Sequence, residues 1–143
     1  MTTRDLTMAM WLLFLLFMCR VAGQLIVYLF AVDWLPPFDH WYSGLLAYRY
    51  LLPAQCVILA LMIWINIDVA RGQGFFHAPR RNITTTLQWF SYLYAGSMVI
   101  RYAVTMSLYP ERRWLGEGTI PVMFHLVLAL YLYLYATHAS RVR

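Results

Sequence analysis

Residues 6–33 read LTMAMWLLFLLFMCRVAGQLIVYLFAVD, and this stretch decides the fold class. A helix that crosses a hydrocarbon core of about 30 Å needs about 20 mostly apolar residues. The stretch meets that length with Arg20 as the sole charge before Asp33. Lipid offers no partner to open backbone groups, so a spanning segment of this length folds as a helix. A transmembrane barrel would need short segments of alternating polarity, and the run does not alternate. Leu6 to Met18 also has the length of a signal peptide behind Arg4, and Val21-Ala22-Gly23 resembles a small-residue cleavage site. Arg20 interrupts the run just before that site, however, and apolar sequence resumes from Leu25 to Val32. We therefore expect the segment to be retained as a span. Phe17 and Met18 are too bulky for a lipoprotein site at Cys19.

Three further runs have the same character, at residues 43–67, 83–108 and 118–137. The breaks between them carry helix-ending chemistry. Trp34-Leu35-Pro36-Pro37 closes the first run, because proline lacks a donor and restricts its predecessor. Gly72-Gln73-Gly74 closes the second, and Tyr109-Pro110 the third. Asn82 and Thr84–Thr86 offer capping groups to the third, and Gly116 and Gly118 precede the fourth. No internal repeat is visible. The expectation is one domain over residues 1–143, an all-α membrane protein of four transmembrane helices packed as an antiparallel bundle.

Composition agrees. Hydrophobic residues make up 62% of the chain, against about 45–50% in soluble domains, and charged residues only 12%. A net charge of +5 invites a nucleic-acid reading, but the arginines sit mainly at the ends of apolar runs, where the positive-inside rule puts them. Cys19 and Cys56 form no CxxC, and unpaired thiols packing as small hydrophobes are the expectation.

Orientation follows from the arginines. The loop between the second and third runs holds Arg71, Arg80 and Arg81, and the termini hold Arg4, Arg141 and Arg143. With four spans these share one face. The other face has no Lys or Arg in its first loop, while Arg112 and Arg113 in its second are offset by Glu111 and Glu117. Six arginines against two predict N-in, C-in, in a bacterial inner membrane. Trp34, Phe38, Trp41 and Tyr42 are expected in the outer aromatic belt with Trp114, while Tyr131, Tyr133 and Tyr135 are expected to pack and to mark the inner one. Asn82-Ile83-Thr84 fits a glycosylation sequon but falls on the inner side, where capping is the better role.

The polar residues inside the runs are few. Arg20 and Gln24 are four apart on one face of the first. Arg49, Gln55 and Asn66 lie in the second, Ser97, Arg101 and Thr105 in the third, and His125 in the fourth. From the outer end, at a rise of about 1.5 Å per residue, Arg101 and His125 lie roughly 10–12 Å down, Gln24 and Gln55 roughly 13–18 Å, and Arg20 roughly 20 Å. All four helices thus contribute to one polar layer. An arginine at mid-bilayer costs about 2.5–3.5 kcal/mol on insertion scales. The acids are Asp5, Asp33, Asp39, Asp68, Glu111 and Glu117, all at or beyond helix ends. Arg49 has Asp33 within reach near the surface, whereas Arg20 and Arg101 have no counter-ion at their own depth. Arg101 has a snorkelling route outward, and Arg20 has Gln24, Gln55 and backbone carbonyls near Pro53.

Candidate ligand-binding residues are therefore Arg20, Gln24, Arg49, Gln55, Arg101 and His125. They suit an anionic, quinone-like or lipid-like ligand, or a carboxylate on a partner membrane subunit or a second copy of the chain. The chain carries no HExxH, GxSxG, phosphate loop or intramembrane acidic pair. This favours a non-catalytic subunit or binding protein. Two alternatives stand beside it: an enzyme on an amphiphilic substrate with His125 moving a proton, and an electron-transfer subunit holding haem or quinone. A low-spin haem wants two axial ligands, and of His40, His77 and His138 only His40 shares the outer side. A small transporter would need oligomerisation and shows no inverted repeat.

Overall fold

A computed structural model of the chain describes residues 2–41, 46–109 and 119–142. The described residues form four long helices and one short one: α1 (Thr3–Phe30), α2 (Phe38–Trp41), α3 (Tyr48–Arg71), α4 (Arg81–Leu108) and α5 (Thr119–Arg141). Tyr42, Trp114 and the Glu111–Glu117 charges of the expected outer loops lie outside the described residues.

Helix α1 starts with a capping box. Thr2 Oγ1 accepts from Asp5 N–H at 3.2 Å, and Thr2 N–H donates to Asp5 Oδ2 at 2.9 Å. Such reciprocal bonds satisfy two of the orphan donors of a first turn. The helix stops at Phe30, short of the expected Asp33, because Ala31 adopts a left-handed conformation at φ 45°. Helix α3 ends as the glycines predict, with Gly72 left-handed at φ 65°. Helix α4 departs from expectation at its start. Arg80 is the N-cap, no side chain caps it, and Thr84 Oγ1 instead donates back to Arg80 O at 3.4 Å.

Helices α1, α3 and α5 are long and apolar enough to cross a membrane. Helix α4 has the length, at 28 residues, but not the composition. Thr84, Thr85, Thr86, Gln88, Ser91, Ser97 and Arg101 dilute its apolar content.

The core gathers around α1. Leu6, Met10, Leu13, Phe17 and Val21 recur at spacings of three and four and are buried, against Met62, Ile65 and Val69 of α3 and Tyr131 and Tyr135 of α5. The other faces of α1 expose Met8, Leu12, Leu15 and Leu16. A helix apolar on all its outer faces suits a membrane span or the core of a larger protein. Backbone contacts run α3 to α1, α1 to α5 and α5 to α4. α3 and α4 therefore stand at the two ends of this sequence, with a side-chain-lined groove between them.

Both cysteines are free, but Cys19 and Cys56 face outward instead of packing in the core. Two of the three tyrosines of α5 pack in the core, as expected. Tyr131 and Tyr135 are buried at 2% exposure and are core residues. The reason is a spacing of four, which sets them on one face. Tyr131 Oη donates to Asn66 Oδ1 at 2.8 Å and lies 3.1 Å from Met62 O, while Tyr135 Oη donates to Phe76 O at 2.9 Å. Near the same end, Asp68 Oδ2 accepts from Phe76 N–H at 2.9 Å. The backbone of Gly74, at φ 112°, lies against that carboxylate where a Cβ would overlap it.

Candidate functional site

The site begins with a turn that the sequence reading did not anticipate. After the left-handed Ala31, the chain runs through Pro36-Pro37 into α2 and folds back over the helices. Trp41, expected in the aromatic belt, is buried at 8% exposure. Its indole N–H donates to Pro36 O at 2.9 Å, and its ring lies over Gly23, where any side chain would collide. Gly23 is thus needed because another element approaches closely, not because it bends α1.

This placement brings the carbonyl of Trp41 to the polar residues of α1. It accepts from Arg20 Nη2 at 3.2 Å and from Gln24 Nε2 at 3.4 Å. Gln24 Oε1 in turn accepts from Gln55 Nε2 at 3.3 Å. The direction of this chain of bonds is set at its first member. A carbonyl can only accept, so Gln24 must turn its amide nitrogen to Trp41 and its oxygen to Gln55. Gln55 must then answer with nitrogen, which leaves its own oxygen over. Gln55 Oε1 is buried and has no partner among the described residues, and neither has Arg20 Nε.

Arg20 is 8% exposed. Besides the Trp41 carbonyl, its guanidinium meets the face of Phe124 at 5.8 Å from the ring centroid. That contact is weakly attractive, and no acidic side chain among the described residues pairs with it. The expected carbonyls near Pro53 are not its partners. α2 supplies the carbonyl instead.

Arg20 and Gln55 line a cavity of about 130 Å³ together with Tyr94, Pro121, Phe124 and His125. Tyr94 Oη and His125 Nδ1 are hydrogen-bonded across α4 and α5. The cavity is smaller than the roughly 300–1,000 Å³ of whole-ligand sites. Below it lies the groove between α3 and the α4–α5 pair, about 370 Å³, lined by apolar side chains and the two tyrosines Tyr94 and Tyr131. Ile58, Tyr94 and Leu128 line both spaces.

The structure therefore brings together four of the six candidate residues: Arg20, Gln24, Gln55 and His125. Arg49 is exposed, with its guanidinium 4.8 Å from the ring centroid of Tyr50, and makes no ion pair with Asp33 among the described residues. Arg101 is half-buried on α4, two turns beyond Tyr94, and does not line the cavity. Ser97 spends its hydroxyl on Tyr94 O at 2.8 Å. Trp41 and Tyr94 are the members that sequence reading missed. The register of Tyr94 with Arg101, seven residues apart, was a usable signal for the second. His77 and His138 meet each other with ring centroids 5.5 Å apart, in the α3–α4 loop and the last turns of α5.

No protein-family model, curated protein or solved structure matches this chain.

Proposed function

We propose that the chain crosses a bacterial inner membrane four times as an antiparallel bundle, with both termini cytoplasmic, and binds the anionic head of an amphiphilic ligand in the cavity at Arg20. It acts as a non-catalytic binding protein or membrane subunit. The arginine asymmetry supports the orientation. The length of α4 supports a fourth crossing, its polar residues turning inward or toward a neighbouring subunit.

The single observation that carries the binding reading is the state of Arg20. A buried cation needs a paired anion or a full set of acceptors. Among the described residues Arg20 has one carbonyl, an aromatic face and an unpartnered Nε, and it lines a cavity whose described wall holds no acid. An anion supplied from outside the chain completes that set. Native mass spectrometry of protein extracted in a neutral maltoside tests the reading. The expected result is a retained anionic lipid-like molecule, lost in Arg20→Gln. Wild-type protein that carries none and takes up none from anionic micelles overturns it.

One observation favours the enzyme alternative. The Tyr94–His125 pair lines the same cavity, and imidazole with a phenol partner can move a proton. Turnover of a bound amphiphile that disappears in His125→Ala, with binding retained, would replace the binding-protein reading with this one.

A further inference from the structure

The unmet groups of the cavity and the groove beneath it narrow the ligand to one chemical class. Resting on the reading above, we propose that it is a glycerophospholipid with a singly anionic phosphodiester head that also carries a hydroxyl. Its acyl chain would lie in the groove between α3 and the α4–α5 pair.

Three features carry this. The first is charge. Among the described residues the cavity wall holds Arg20 and no acid, so a single negative charge neutralises it, whereas a quinone or quinol leaves the guanidinium unpaired. The second is hydrogen-bond polarity. The Trp41 carbonyl forces Gln24 and then Gln55 to point their nitrogens one way, leaving Gln55 Oε1 as a buried acceptor. An ionised phosphodiester offers only acceptors, which serve Arg20 but not Gln55. A head that satisfies both groups must donate as well, and a hydroxyl is the smallest group that does so without adding charge. An ammonium head would put a second cation beside Arg20.

The third is shape. The cavity takes a head, and the space continues past Ile58, Tyr94 and Leu128 into the apolar groove. Leu61, Met62 and Ile65 of α3 face Phe90 of α4 and Leu132 of α5 across it. From Ile58 to Ile65 the groove follows α3 for about 10 Å. Leu61 is 43% exposed, so the groove is open along its side. α2 and Trp41 lie over the opposite end of the polar layer. The chain therefore enters sideways from lipid, with the head toward α2.

The test compares dioleoyl phosphatidylglycerol with dioleoyl phosphatidylmethanol, which has the same chains and charge but no hydroxyl. Binding is read by native mass spectrometry and thermal shift in maltoside. Wild type is expected to prefer the glycerol head about tenfold, the scale of one hydrogen bond to a buried acceptor, and Gln55→Met to erase the preference. Equal affinities in wild type overturn the hydroxyl assignment and leave anion binding standing.

Leu61→Trp and Leu132→Trp fill the groove from different helices, each checked for helicity and monodispersity. Both are expected to weaken dioleoyl phosphatidylglycerol about tenfold, as overfilling a packed site does, and to leave the dibutyryl form unchanged. Unchanged dioleoyl binding in both variants overturns the groove assignment. Failure of the underlying reading looks different: neither anionic lipid binds, Arg20→Gln has no effect on them, or a decyl-tailed quinol binds in their place.

Discussion

Gly23 and Trp41 fit together so closely that a Cβ on the glycine would stand 2.9 Å from Cη2 of the indole. The missing side chain on α1 is the socket for the aromatic plug of α2. The plug's own carbonyl then reaches Arg20 and Gln24. Between lipid-embedded helices, where water does not drive association, such close packing supplies much of the cohesion. Gly23→Ala should therefore lower the thermal midpoint in detergent by an amount equivalent to about 1–3 kcal/mol, and Gly23→Leu by more. The change should also shift Trp41 fluorescence toward that of a solvated indole, read in a variant with Trp41 as its only tryptophan. An unchanged midpoint and spectrum in Gly23→Leu would mean that α2 does not sit on α1.

Replacing Arg20 separates stability from binding. Removing a buried ion in favour of an apolar residue of similar volume is often neutral or stabilising, by about 1–4 kcal/mol. Arg20→Met should thus match or exceed wild type in thermal midpoint once lipid is stripped, while failing to gain stability from added anionic lipid. A fall of several degrees without lipid would show that Arg20 is chiefly a strut for the Trp41 carbonyl.

The bond between Tyr131 and Asn66 is buried on both sides, at 2% and 0% exposure. Tyr131→Phe and Asn66→Leu should each destabilise, and the double variant should lose less than their sum. Interhelical pairs of this kind couple by about 0.6 kcal/mol on average and up to about 1.7. A full double-mutant cycle in a mixed-micelle unfolding assay measures the term. Strict additivity would remove the bond from the account of how α3 holds α5.

Gly74 meets two restrictions at once, a φ of 112° and the Asp68 carboxylate where its Cβ would be. Gly74→Ala should loosen the 72–80 loop more than Gln73→Ala, seen as faster hydrogen exchange at Phe76 N–H, whose acceptor is Asp68. Equal protection in both variants would refute the tight fit.

The proposed orientation has its own test. In a chain with Cys19 and Cys56 replaced by alanine, a cysteine at Gln73 should react with a charged maleimide only from the cytoplasmic side. One at Leu35 should react only from the opposite side. Labelling of both from one side would break the four-crossing arrangement.

Much of the architecture was legible from local chemistry. The long apolar runs, the proline pair after Trp34 and the glycines at 72 and 74 specify where helices run and stop, because backbone satisfaction in lipid admits little else. The polar layer was legible as a set of depths, since a helix converts residue number into height. Partners were not legible. Trp41 looks like an interfacial aromatic until the turn after Ala31 carries it inward, and nothing local in residues 31–41 encodes that direction. Tyr94 was hidden among eleven tyrosines, most of which serve as apolar filler. Tyr131 and Tyr135 announced a shared face by their spacing, yet whether that face meets protein or lipid depends on α3, which is distant in sequence.

The open flank between α3 and α4 also changes what concentration means for this protein. A site reached along the plane of the bilayer responds to the mole fraction of a lipid among its neighbours, not to anything dissolved in water. Its occupancy would follow the composition of the surrounding leaflet, and diluting the whole cell suspension would leave it untouched.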